Sequence, residues 1–67
     1  MKTQHQKIYD YMYNVGGITP MDAFRDLGIT KLSTRIGEMK KQGIKIESKM
    51  IQGRNSRYMC YWLKEEK

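Results

Sequence analysis

The hydrophobic pattern of this chain changes its period at Gly43, and this change constrains the fold more than any other feature. Before Gly43, apolar residues recur every three or four positions, as Leu32, Ile36 and Met39 do, which is the spacing of one face of an α-helix. After Gly43, apolar and polar residues alternate over 44–50, which is typical of a half-exposed β-strand. The pattern therefore predicts an α+β fold with helices first and strands last.

Helix 1 is predicted at about residues 3–14. Thr3 is followed three positions later by Gln6, which is the spacing of a capping box at a helix N-terminus. The apolar stripe of this helix consists of Ile8, Met12 and Val15. The sequence NVGG at 14–17 then breaks the helix.

Helix 2 is predicted at about residues 20–27. Thr19 is a suitable N-cap, and Pro20 fits the first helical position, where a backbone N–H has no partner in the helix. The predicted buried side consists of Ala23, Phe24 and Leu27. Gly28 ends the helix.

Helix 3 is predicted at about residues 31–42, with Thr30 as its N-cap and Gly43 as its stop. Only Ile29 separates Gly28 from Thr30. Two short helices joined by a tight turn that contains glycine are typical of a helix-turn-helix.

The two strands are predicted at about 44–51 and 58–63, joined as a β-hairpin by the polar, glycine-containing loop 52–57. Successive side chains of a strand point to opposite faces, so only every second residue of the second strand can face the core. The core-facing residues are then Met59, Tyr61 and Leu63, and the outward-facing residues are Tyr58, Cys60 and Trp62.

The net charge of +6 is concentrated in one part of the chain. Acidic and basic residues balance in 1–30 and again in 58–67, so the whole surplus lies in 31–57. The basic residues there are Lys31, Arg35, Lys40, Lys41, Lys45, Lys49, Arg54 and Arg57, against Glu38 and Glu47. This segregation indicates a surface for a polyanion, because solubility alone does not require it.

The composition argues against several classes of protein. One cysteine, Cys60, and one histidine, His5, cannot form an internal disulfide or a zinc site, so we expect no metal and no cofactor. We expect no enzyme activity and no small-molecule substrate, because no nucleophile with a base and no glycine-rich phosphate loop is recognisable. Without a long apolar run or a signal-peptide pattern, we expect one cytoplasmic domain over 1–67 that has no contact with a membrane.

The order of the predicted elements, three helices and then a hairpin, is that of a winged helix domain. The segments GGITPMDAFRDLGITKLSTRIGEMKKQGIKIES at 16–48 and SRYMCYWL at 56–63 resemble the small winged helix-turn-helix family of bacteria, phages and prophages. The resemblance implies sequence-specific binding of double-stranded DNA. It also implies a transcriptional regulator or accessory factor of phage or mobile-element origin.

In such a domain helix 3 enters the major groove, with its N-terminal residues nearest the base edges. The predicted base-contacting residues are Lys31, Ser33, Thr34, Arg35, Gly37, Glu38 and Lys41, of which Gly37 permits close approach. The predicted contacts of the DNA backbone and the wing are Thr30, Lys40, Lys45, Lys49, Arg54, Asn55 and Arg57. The assignments of Arg35 and Glu38 have alternatives. Arg35 can instead pair with Glu38 on the same helix, and Glu38 can simply be a solvated residue.

A second hypothesis is a winged helix that binds another protein, such as a phage protein acting on a host complex. Tyr58 and Trp62 are the possible interface, although the simpler interpretation of Trp62 is packing over helix 1. RNA or left-handed duplex is a third candidate ligand, but helix 3 lacks the asparagine and tyrosine of family members of that kind. The oligomeric state stays open between a monomer and a weak homodimer through helix 1 or Trp62, and another DNA-bound protein is a further candidate partner.

Overall fold

Helices precede strands in the protein, as the change of period at Gly43 predicts. In the computed structural model, which describes residues 3–64, the order of elements is α1 (Gln4–Val15), α2 (Pro20–Asp22), a π-helical segment (Ala23–Leu27), α3 (Leu32–Lys41), β1 (Ile46–Gln52) and β2 (Arg57–Leu63). The ends of the predicted domain, 1–2 and 65–67, lie outside the described residues. Helices followed by an antiparallel hairpin are the architecture of a winged helix, so the predicted fold class is confirmed.

The first helix begins where its cap predicts. The Thr3 hydroxyl accepts a hydrogen bond from the Gln6 backbone N–H at 3.2 Å, and the helix ends at a glycine with a φ of 100°. Ile8 and Met12 are buried as predicted, but the prediction for Val15 is wrong, since 66% of it is exposed. The core contacts the middle of α1. The last turn of this helix, which carries Val15, extends beyond that contact.

The second helix has a reciprocal cap and an unexpected geometry. Thr19 Oγ1 accepts from the Asp22 N–H at 3.1 Å, and Asp22 Oδ2 accepts from the Thr19 N–H at 3.2 Å. α2 then widens into the π-helical segment, where Ala23 is fully buried but Phe24 is 57% exposed. The prediction of a buried Phe24 is wrong because a neighbouring residue points about 100° away from one that faces the core.

The third helix starts later than predicted and ends as predicted. Lys31, with φ −120° and no side-chain cap, precedes Leu32, so the predicted N-cap role of Thr30 is wrong. Gly43 has a φ of 96°, and the Ile44 N–H donates to the Met39 carbonyl at 3.1 Å, which confirms the stop. The predicted apolar stripe of α3 is confirmed, since all three of its residues, Leu32, Ile36 and Met39, are buried.

The hairpin is tied to the helices by an isolated β-bridge between Ile18 and Tyr61 that the sequence did not predict. The Ile18 N–H donates to the Tyr61 carbonyl at 2.8 Å, and the Tyr61 N–H donates to the Ile18 carbonyl at 2.9 Å. Tyr61 is buried, and Met59 and Leu63 pack against the core, as predicted. The link between α1 and α2 thus lies along the free side of β2.

One hydrogen-bond network joins α1 to the π-helical segment. The Tyr11 hydroxyl donates to Asp26 Oδ2 at 2.7 Å, and Arg25 Nε donates to Asp26 Oδ1 at 2.9 Å. The hydrogen bonds from Arg25 and then Tyr11 lower the pKa of the Asp26 carboxyl below its ordinary value. The network holds the helix before the tight turn against α1.

Candidate nucleic-acid interface

The side of α3 opposite its buried stripe is open to solvent. Its exposed residues are Ser33, Thr34, Gly37, Lys40 and Lys41, and Thr30 and Lys31 are exposed in the turn just before the helix. A Cβ added to Gly37 would meet no other atom within 4 Å. The structure therefore brings seven of the predicted DNA-contacting residues together on and beside one helix face.

Arg35 and Glu38 lie on the flank of α3 that meets the start of α1. Arg35 Nη1 donates to Glu38 Oε1 at 2.9 Å, and Arg35 Nε donates to Gln4 Oε1 at 2.9 Å. Glu38 Oε1 is also 2.7 Å from His5 Nε2. The alternative pairing of Arg35 with Glu38 is thus observed, and both charged groups also have hydrogen-bond partners on α1.

The same contacts set the charge state of Glu38. Hydrogen bonds from His5 and then Arg35 lower the pKa of its carboxyl below the ordinary value of 4.5. Because the folded-state pKa is lowered, the stabilisation is complete above the unfolded-state pKa and is lost as the pH falls through the folded-state pKa.

Replacing Glu38 with glutamine is therefore expected to reduce the pH dependence of stability. Between about pH 6 and about pH 3, the free energy of unfolding should fall less in the variant than in the wild type. Urea denaturation followed by circular dichroism across this range measures the difference. The control Glu47→Gln removes an equal charge from a residue whose cation contact, with Lys64, is 3.8 Å long, and it should keep the wild-type slope. Identical slopes for Glu38→Gln and the wild type would contradict the assignment.

The hairpin carries the other part of the basic surface. Its loop is closed by the Gly53 N–H, which donates to the Ser56 carbonyl at 2.7 Å. The predicted wing residues Lys45, Lys49, Arg54, Asn55 and Arg57 are all exposed. Both acidic residues of 31–57 have a cation partner, since Glu38 pairs with Arg35 at 2.9 Å and Glu47 lies 3.8 Å from Lys64.

The two aromatic residues of the predicted protein interface differ in exposure. Trp62 is half-buried and lines a groove together with residues of α1, among them Met12 and Tyr13. Tyr58, farther along β2, is 41% exposed. Tyr9 and Tyr13 stack on the surface of α1 with ring centroids 6.5 Å apart.

Neither a metal-ligating cluster nor a bilayer-spanning helix is found in residues 3–64. That part of the chain holds no cluster of three or more His, Cys, Asp or Glu side chains that could bind a metal ion. None of its helices is both long and apolar enough to cross a bilayer.

A family model described as a winged helix-turn-helix domain matches residues 3–66, nearly the whole chain. No curated protein and no solved structure matches this chain.

Proposed function

The chain belongs to the winged helix-turn-helix domain family, and from this premise we propose that it binds double-stranded DNA in a sequence-specific manner. In this proposal α3 enters the major groove and the hairpin lies beside it on the backbone. The observation that carries the proposal is the exposed face of α3, which presents lysines and small hydroxyl residues and no acidic group without a cation partner.

The proposed base contacts come from the exposed face of α3. Ser33 and Thr34 lie in its first turn, and their hydroxyls can donate to or accept from base edges. Lys31 and Lys41 lie at the two ends of the helix, where they can reach bases or phosphates on either side of the groove.

Arg35 and Glu38 have a different role in this proposal. Their hydrogen bonds to Gln4 and His5 fix α3 against α1, so they set the angle at which the helix meets DNA. In this proposal they act as positioning residues, because their charged groups hydrogen-bond to each other and to side chains of α1.

The hairpin and the helix ends supply affinity rather than specificity. Arg54, Asn55 and Arg57 at the hairpin loop reach the backbone or the minor groove, and Thr30, Lys40, Lys45 and Lys49 are the remaining proposed phosphate contacts. The biological role that we propose is that of a transcriptional regulator or accessory factor of phage or mobile-element origin that acts in the cytoplasm.

The experiment that tests the proposal is fluorescence anisotropy of the full chain with a mixed-sequence duplex at several salt concentrations. We expect binding whose logarithm falls steeply with the logarithm of the salt concentration, because phosphate contacts release counterions. No binding at low salt overturns the proposal, and the basic surface then serves another partner, such as the protein complex of the second hypothesis.

Replacing Gly37 with alanine provides a sharper test, because this substitution is expected to change the stability of the fold and the affinity for DNA in opposite directions. Glycine inside a helix costs about 1 kcal/mol relative to alanine, and no packing contact in the fold requires it here. Gly37→Ala is therefore expected to raise the free energy of unfolding. It should also weaken DNA binding on the order of tenfold, because the added methyl group overpacks the contact with the groove.

The matched control for Gly37→Ala is Asn14→Ala, an exposed helix position on α1. It should also stabilise the fold, since alanine is the better helix former, and it should leave DNA binding unchanged. Urea denaturation and anisotropy on the same samples separate the two effects. If Gly37→Ala binds DNA as well as the control does, close approach at Gly37 is ruled out.

A further inference from the structure

The outer edge of β1 has a defined hydrogen-bonding pattern. Tyr61 directs its backbone N–H and carbonyl to Ile18, and therefore away from β1. In an antiparallel pair, residues opposite each other alternate between bonded and non-bonded pairs. Ser48, which lies opposite Tyr61, is therefore in a non-bonded pair and directs its own N–H and carbonyl away from β2.

The same alternation defines the rest of this edge. The Lys64 N–H donates to the Lys45 carbonyl at 3.0 Å, which makes that pair a bonded one and agrees with the assignment of Ser48. Ile46 and Met50, two residues on either side of Ser48, then also direct their backbone groups outward. Within residues 3–64, no other segment makes a backbone hydrogen bond to these outward groups.

We propose that a second copy of the chain pairs with this edge, β1 against β1 in antiparallel orientation, with a two-fold axis at Ser48. Ser48 then pairs with its own copy, and Ile46 of each chain pairs with Met50 of the other. Each of these bonded pairs exchanges two backbone hydrogen bonds, so the outward groups of both strands are satisfied. The two-fold axis makes the contact self-complementary and closed.

Charge complementarity selects this register. The non-bonded pair beside the axis places Glu47 of each chain opposite Lys49 of the other, and side chains in such pairs are close. An axis at Glu47 or at Lys49 would place like charges opposite each other. An axis at Ile46 would leave most of β1 unpaired, and an axis at Met50 would leave both charged residues without an opposite charge across the strands.

Apolar burial favours the same arrangement. Met50 is 56% exposed in the single chain, although it lies on the sheet face that Ile46 shares with the core. In the pair, Met50 of one chain lies beside Ile46 of the other and is partly covered by it. The dimer also presents two α3 surfaces. The inference of a dimer does not itself depend on DNA binding.

The test is sedimentation equilibrium of the full chain over a range of concentrations. We expect a monomer–dimer equilibrium in the wild type. Glu47→Lys and Lys49→Glu should each weaken the dimer about tenfold, because each places like charges across the axis. The double variant, Glu47→Lys with Lys49→Glu, restores opposite charges and should return the dissociation constant to near the wild-type value.

Two further variants complete the design. Lys7→Glu, on α1, makes the same charge change as Lys49→Glu and should leave the dimer intact. Ser48→Pro removes an outward N–H without breaking the β1–β2 ladder, and it should give a folded monomer by circular dichroism. A wild type that stays monomeric up to about 1 mM overturns the proposal. So does a double variant that fails to restore the dimer.

Discussion

Replacing Lys31 and Lys41 together with glutamine is expected to weaken duplex binding on the order of a hundredfold at about 50 mM salt. Both lysines are exposed, one just before α3 and one at its last residue. Each phosphate that a lysine neutralises contributes about 0.9 to the slope of log K against log salt, so the slope should fall by about two. Anisotropy across a salt series measures both quantities.

A matched double variant separates this effect from a general loss of charge. Lys7→Gln with Lys64→Gln removes the same charge from α1 and from the residue just after β2, outside the basic segment 31–57. It should keep most of the affinity and most of the salt slope. If both double variants lose affinity equally, DNA responds to net charge alone, and the placement of α3 in the groove is wrong.

Replacing Met39 with alanine is expected to destabilise the fold by about 2–5 kcal/mol, which is the usual loss for removing a large core side chain. Met39 is fully buried, and it lies in the last part of the stripe that holds α3 against the core. A single small core rarely supplies more than about 3–5 kcal/mol, so most of the variant should be unfolded at room temperature. Circular dichroism during urea denaturation measures the change.

The chain offers a control of the same residue type. Met21 is 69% exposed on α2, and Met21→Ala should change the free energy of unfolding by no more than about 0.5 kcal/mol. Equal effects of the two substitutions would show that burial at Met39 does not stabilise the fold. The comparison holds the side-chain chemistry constant and changes only its surroundings.

Local pattern was enough to predict the elements of the fold. The change of period at Gly43 marks where helices give way to strands, and Leu32 and Ile36 are buried as their spacing predicts. The errors for Val15 and Phe24 have one cause. Spacing indicates which residues share a helix face, but it does not show how far the core extends along that face, which explains Val15. It also does not show which of two adjacent residues faces the core, which explains Phe24.

Contacts between distant segments could not be predicted in this way. Ile18 pairs with Tyr61 as a single residue, and one residue is too short to produce an alternating pattern. His5 is a lone histidine whose partner, Glu38, lies on another helix, so nothing near it in sequence indicates the contact. The sequence located the basic segment, but the structure was needed to separate the exposed residues of α3 from Arg35 and Glu38, which face α1.

The pairing of Ile18 with Tyr61 also determines when the domain can form during protein synthesis. These residues are far apart in the chain, and contacts at long sequence separation slow folding because a large loop must close first. On the ribosome, α1, α2 and α3 emerge before β2, so the core lacks Tyr61 until that strand has been translated. The nascent helices therefore have an incomplete core, and the domain acquires its folded form late, once β2 has left the exit tunnel.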